Sequence, residues 1–170
     1  MQQIKDIKNQ KITTNPIVYF WYFRDDIANK LLIPLKECID FSKITYKIIN
    51  NTKYYLLYIG KAKNGHQRLI EYHILDKQNY HQKGIKNKRL SSLRQTISAL
   101  LGINMSTSKE KVDEIFDTCI VDWIESDIEN VEQLETSQIK NHYLPLNDLH
   151  SITPKECRQI LRKLKKEYKK

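Results

Sequence analysis

The segment Tyr54-Tyr55-Leu56-Leu57-Tyr58-Ile59-Gly60-Lys61 constrains the fold of this chain more than any other. Its first six residues are aromatic or aliphatic, so the run reads as a buried strand that ends on a glycine. A basic loop and a helix are expected behind it. A strand end of this kind is where a rigid scaffold holds a hydroxyl and an ammonium in fixed geometry, next to a substrate-facing loop. A second run, Ile17 to Phe23 (IVYFWYF), follows Pro16 and is equally dense in β-branched and aromatic residues. These two strands are expected at the centre of the fold.

The remaining elements are read from periodicity and punctuation. Asp25 or Asp26 starts a helix through Leu31-Leu32, Pro34 interrupts it, and a second short helical piece runs to Ile39. Ile44 to Ile49 alternates weakly, and the turn signal Asn50-Asn51 pairs it with Tyr54 to Ile59 as a hairpin. Asn64-Gly65 marks a turn, a helix follows from about His66 to Asp76, and the charged, aperiodic stretch Lys77 to Arg89 reads as a loop. Ser91 or Ser92 caps a helix carrying Leu93, Ile97, Leu100 and Leu101, and Gly102 ends it. Thr118 to Ile124 is a strand, and Ile128 to His142 a helix stopped by Pro145. Thr153-Pro154-Lys155-Glu156 reads as a capping box that launches a basic helix, about 154–168. No repeat and no domain-splitting linker stands out. The chain of 170 residues is therefore expected to form one α+β domain, 1–170, with a small mixed or antiparallel central sheet of three or more strands flanked by helices.

Composition narrows the setting. No run of about 18 apolar residues exists, which excludes a transmembrane helix, and the N-terminus lacks the apolar stretch of a secretory signal. Cys38, Cys119 and Cys157 stand far apart without CxxC spacing, which argues against a disulfide framework and a zinc knuckle and for a reducing, cytoplasmic interior. The net charge is +9 and unevenly spread. Nine Lys or Arg face two acids between Gly60 and Arg94, and eight face two from Pro154 onward, whereas ten acids face two lysines from Thr107 to Thr136. Basic surface gathered on some elements is the footprint of a phosphate-backbone binder, and a lysine-rich solvated surface is the bland alternative.

Glu135 is the sharpest anomaly. On a helix, Ile128, Val131, Ile139 and His142 share one stripe, and Glu135 falls in its middle. A carboxylate there is costly unless paired with an Arg or Lys, or bound to a cation. A magnesium ion held by one carboxylate, waters and phosphate oxygens is the competing explanation. Tyr19 and Tyr58 lie on the two central strands, and a buried tyrosine ordinarily packs and finds one hydrogen bond. Lys61 follows the second strand, where an ammonium lowers a nearby phenol's pKa. Arg68, eight residues past Gly60, offers a guanidinium for a phosphate.

Together these pieces resemble the GIY-YIG nuclease superfamily. Tyr58-Ile59-Gly60 is the second signature as it stands, and Lys61-Ala62-Lys63-Asn64 continues in the manner of the excision-repair nuclease catalytic domains. Arg68 stands where the family's arginine stands. LETSQIKNHYLPLN is similar to its glutamate helix, with Asn147 twelve residues after Glu135. SSLRQTISALLG resembles a segment of stand-alone members. Two departures are visible: Ile17 replaces the glycine of the first signature, and Tyr19 and Tyr58 are 39 residues apart. The insertion, about 24–53, is expected to serve recognition or homodimer formation.

The resemblance implies a divalent-metal-dependent endonuclease that hydrolyses DNA phosphodiester bonds, with RNA an open alternative substrate. Glu135 would hold one Mg2+ or Mn2+ ion, Tyr19 or Tyr58 would activate the attacking water with Lys61 lowering its pKa, and Arg68 would stabilise phosphoryl charge. Asn147 would support the site, and His73 would assist as a proton carrier or simply pack in the core. Lys63, Arg94, Arg158, Arg162 and Lys165 are the expected nucleic-acid contacts. The rival reading is a binding module that kept the fold and lost or weakened the chemistry, with the replaced glycine as its sign.

Overall fold

The computed structural model describes residues 2–7, 10–75, 82 and 91–169, with side chains from Asp6 onward. Among the described residues, five strands build one sheet: β1 (Gln2–Gln3), β2 (Ile17–Arg24), β3 (Tyr46–Ile49), β4 (Thr52–Ala62) and β5 (Ile120–Glu125). Their order is β1-β5-β2-β4-β3, and every neighbouring pair is antiparallel. The two apolar runs of the sequence are the adjacent strands β2 and β4, which is why neither shows a polar side. Asn50 and Asn51, both at positive φ, close the β3–β4 hairpin, as residues tolerant of that region do. The expected loop Lys77–Arg89, Gln82 apart, and the expected helix end at Asp76 lie outside the described residues.

Helices cover the sheet unequally. One face packs against α2 (Asp25–Leu31), α3 (Gln67–Ile74), α4 (Ser92–Leu100), α5 (Lys109–Asp117) and α7 (Lys155–Glu167), whose Leu31, Leu69, Leu93, Ile97, Val112, Phe116 and Leu161 share a core with Tyr19, Trp21 and Leu57. The other face is covered by α6 (Val131–Lys140), which sets Val131 and Ile139 against Val18, Phe20, Leu56 and Ile59. A four-residue helix, α1 (Ile4–Ile7), follows β1. Among the described residues no helix is long and apolar enough to cross a membrane. Residues 24–53 bring α2, a short 3-10 turn at Ile33–Leu35 and β3, and their Leu31, Leu32 and Leu35 are buried in the main core.

One irregularity aims the site. Trp21 pairs with Tyr58 but Tyr22 pairs with Leu56, so Leu57 is an extra residue in β4. This bulge puts Leu57 and the following Tyr58 on the same side of the sheet. Beyond it the alternation resumes, with Ile59 packed on the α6 side and Ala62 on the opposite side. β3 pairs only with Thr52 to Tyr55, and among the described residues no strand flanks the far half of β4 on that side.

Several expectations change. α6 begins at Val131, and Ile128 lies before it, 51% exposed rather than on a buried stripe. α3 is wound as a π-helix, with Leu75 N–H donating to the Ile70 carbonyl five residues back. α5 is not among the helices expected from the sequence, although Ser108 stands at its N-cap position and Val112, Ile115 and Phe116 carry its apolar spacing. The expected capping box does not form: Pro154 is the N-cap residue of α7, and the Thr153 hydroxyl bonds to Ser151 Oγ at 2.7 Å. The cysteine reading is also overturned. Cys38 and Cys157 are joined in a disulfide with Cα atoms 5.6 Å apart, and Cys119 is free and buried. Separation along the chain says nothing of separation in space, so the argument for a reducing interior loses its basis.

Candidate active site

The unpaired flank of β4 opens on a pocket of about 310 Å³. Tyr58, Ile59 and Lys61 line it from β4, Ser92 from α4, Glu132, Glu135 and Ile139 from α6, Asn147 to His150 from the chain after α6, and Lys165 from α7. That chain takes the place of the missing strand. Leu146 N–H donates to the Leu57 carbonyl at 3.1 Å. Asn147 then satisfies both backbone groups of Ile59: Ile59 N–H donates to Asn147 Oδ1 at 3.0 Å, and Asn147 Nδ2 donates to the Ile59 carbonyl at 2.8 Å. A primary amide carries one acceptor and two donors, so it copies a neighbouring peptide group.

The phenols sit on the side of α3 and α4. Tyr19, 1% exposed, pairs across the ladder with Gly60, and its hydroxyl lies 3.5 Å from His73 Nε2. Tyr58, 8% exposed, stands beside it with ring centroids 6.4 Å apart and shares a hydrogen bond of 2.9 Å with Ser92 Oγ. Burial pushes the Tyr58 phenol well above its ordinary pKa, and the Tyr19 phenol adds to this; the Ser92 hydrogen bond and the Arg68 guanidinium pull the other way, and Glu135 pushes up. Burial alone would lower Arg68, but the Tyr19 phenol, which it hydrogen-bonds, and the Tyr58 and Tyr72 phenols raise it on balance. Arg68 is thus a cation held at both phenols.

Lys61 points to the opposite side of the sheet. Its Nζ lies 3.1 Å from carboxylate oxygens of both Glu132 and Glu135, one turn apart on α6. Burial pulls the ammonium down, and the two carboxylates more than offset this, leaving it raised. The anomalous Glu135, its side chain 19% exposed, is therefore ion-paired at the pocket rim. Lys61 is expected to tune a tyrosine, yet its nitrogen faces α6, and Arg68 is the cation that pulls Tyr58 down.

His73 is a buried ring edge-on to Tyr19, Trp21 and Phe116. Burial, then Arg68 and Arg94, holds its pKa well below the ordinary value, so it is neutral. Arg94 is not at a nucleic-acid surface: it is 1% exposed, and its Nη2 donates to the His73 carbonyl at 2.6 Å and pairs with Asp113 at 2.7 Å. An arginine in a helix following two serines gives no sequence sign of which way it faces. Of the other expected contacts, Lys63 and Arg162 are exposed, although Arg162 Nη2 donates to the Asp148 carbonyl at 3.1 Å. Lys165 pairs with the Asp148 carboxylate at 2.7 Å, and Arg158 is half-buried. Sequence reasoning took Ser92 only as a candidate helix cap and did not single out Glu132 or Asp148. Glu132 stands one helical turn before Glu135, a spacing that was there to be read.

Among the described residues no three His, Cys, Asp or Glu side chains converge on a metal-sized space. The donor chemistry nevertheless fits a hard divalent ion, because Glu132 and Glu135 already hold a cationic nitrogen between them at the pocket. A fold with an antiparallel sheet, paired phenols with an arginine, and a carboxylate across one pocket defines a class of catalytic domain. A family model described as GIY-YIG catalytic domain matches residues 17–167, and the chain belongs to that family. Membership supports a nuclease-type function acting on nucleic acid, in a family generally dependent on divalent metal. No curated protein and no solved structure matches the chain.

Proposed function

We propose that this protein is a divalent-metal-dependent endonuclease that hydrolyses DNA phosphodiester bonds. The observation that carries the reading is the meeting of Tyr58 and Glu135 at one pocket, from opposite sides of the sheet, with Arg68 behind the phenol. Glu135 would hold a Mg2+ or Mn2+ ion with Glu132 beside it, and the ion would supply charge neutralisation on the scissile phosphate. Tyr58 is the phenol that lines the pocket and is the group that takes the proton of the attacking water. Tyr19 lies behind it and, with Arg68, fixes its surroundings. Arg68 stabilises the charge that builds on the phosphoryl oxygens. Lys61 holds the two carboxylates of α6, of which Glu135 would be the one to hold a divalent ion. Asn147 keeps the edge of β4 straight beneath the site. The exposed Lys63, Lys163, Lys166 and Lys169 add backbone affinity that weakens with salt.

The test is cleavage of supercoiled and linear DNA with Mg2+ or Mn2+, beside Glu135→Ala. Cleavage that the variant lacks supports the reading. DNA retention at low salt with no cleavage in either metal favours a binding module that lost the chemistry.

A further inference from the structure

We infer that Ser92 positions the Tyr58 hydroxyl and carries its proton into the pocket, as the second link of the proton path from the attacking water. The inference rests on the nuclease reading above and names a residue that reading leaves out. Tyr58 is buried, and its hydroxyl bonds to Ser92 Oγ at 2.9 Å. Ser92 itself is exposed and lines the same pocket. The pair of hydroxyls therefore runs from a buried phenol to open water.

The other groups facing the phenol cannot do this. Arg68 has no acceptor to offer. Tyr19 on β2 is buried and turned toward Arg68 and His73. Glu135 on α6 is paired with Lys61 and, in the nuclease reading, would be occupied in holding the divalent ion. A phenol that burial keeps neutral can accept a proton only while it gives up its own. A serine hydroxyl accepts and donates at once, so the proton passes through without leaving charge on it.

The step balances as follows. The water oxygen bonds to phosphorus while one of its protons moves to Tyr58 Oη. The Tyr58 proton moves to Ser92 Oγ, and the Ser92 proton moves to pocket water. The ester P–O bond breaks, and the leaving oxygen takes a proton from that water. Both hydroxyls end as they began.

The backbone at Ser92 does not depend on its side chain. Ser91 Oγ caps α4 by accepting from Arg94 N–H at 3.3 Å, Leu93 and Ile97 are fully buried, and Arg94 is tied to His73 and Asp113. Ser92→Ala should therefore fold, which thermal denaturation verifies. With Mg2+ and a duplex substrate, Ser92→Ala is expected to lower kcat about ten- to a hundredfold with KM changed less than about twofold, and Ser92→Thr to restore most of the rate. In a Tyr58→Phe background, adding Ser92→Ala should cost nothing further. Wild-type kcat in Ser92→Ala, equal losses in the Ala and Thr variants, or additive losses in the double variant each overturn the inference alone. Absence of metal-dependent cleavage by the wild-type protein overturns the nuclease reading and this inference with it.

Discussion

At Gly60 the volume that a side chain would need is already filled. A Cβ there would lie 2.6 Å from Tyr19 Oη and 2.7 Å from Tyr19 Cζ, distances no packed methyl sustains. The glycine is thus required by the ring across the ladder and not by its own backbone angles. Gly60→Ala should push the Tyr19 ring away from Arg68 and His73, cost about 1–3 kcal/mol in urea denaturation, and lower kcat by at least about tenfold. An unchanged rate would show that the position of Tyr19 does not matter to the chemistry. At Gly65 a Cβ would meet the Thr13 carbonyl oxygen at 2.9 Å and Ile17 Cδ1 at 3.0 Å, so this glycine admits both the backbone at residue 13 and the fully buried Ile17. Asn147 gives a second residue-scale prediction. Asn147→Ala leaves a buried N–H and a buried carbonyl of Ile59 without partners, and should cost about 2–4 kcal/mol. Asn147→Asp keeps only the acceptor and should not recover that loss, as the same denaturation series would show.

Among the elements, the strands β2 and β4, the asparagine hairpin, α4 and its glycine end were legible because each rests on short-range chemistry. Glu135 stood out by its place on an apolar helical stripe, and Tyr58 and Arg68 by their places at and beyond a strand end, whereas Asn147 was legible only through the family resemblance of its spacing. What escaped was set by tertiary packing. Nothing in a run of six apolar residues marks Leu57 as a bulge, yet that residue decides which way Tyr58 points. The face of Arg94 and the partner of Lys61 depend on helices distant in sequence, and the π-winding of α3 is likewise imposed by context. That winding places His73 against Tyr19, Trp21 and Phe116, where it is neutral with its pKa well below the usual 6.5. Above pH 6.5 neither the folded nor the unfolded chain protonates this group, and its stabilising contribution is fully present. As pH falls below 6.5 the unfolded chain binds a proton that the folded chain refuses, so stability falls by about 1.4 kcal/mol per pH unit until the folded pKa is reached. Denaturation midpoints of wild type and His73→Phe between pH 7 and pH 5 should converge as pH drops. Parallel curves would mean that His73 protonates normally in the fold.

On the scale of the whole molecule, the Cys38–Cys157 bond ties the segment after α2 to the start of α7 across a separation of 119 residues. Closing so long a loop in the unfolded chain removes entropy worth about 4–5 kcal/mol on the chain-entropy account. The bond also bears on the site through α7. Arg162 and Lys165 hold the carbonyl and carboxylate of Asp148, which follows directly on the Asn147 that completes the edge of β4. Reduction frees one anchor of α7 while Leu161 stays in the core, so the helix should loosen without leaving. Two measurements follow from this arrangement. Thiol titration of the denatured, unreduced protein should find one reactive cysteine, Cys119, and three after reduction. Denaturation with and without a phosphine reductant should then differ by several kcal/mol, and Cys157→Ser should reproduce the reduced value and become insensitive to reductant. Three thiols before reduction would dismiss the bond, and a reductant-independent midpoint with the bond intact would mean that α7 is held by its core contacts alone. Between those outcomes lies the expected one, in which the same covalent link sets the stability of the fold and the firmness of the Asn147 brace under the candidate active site.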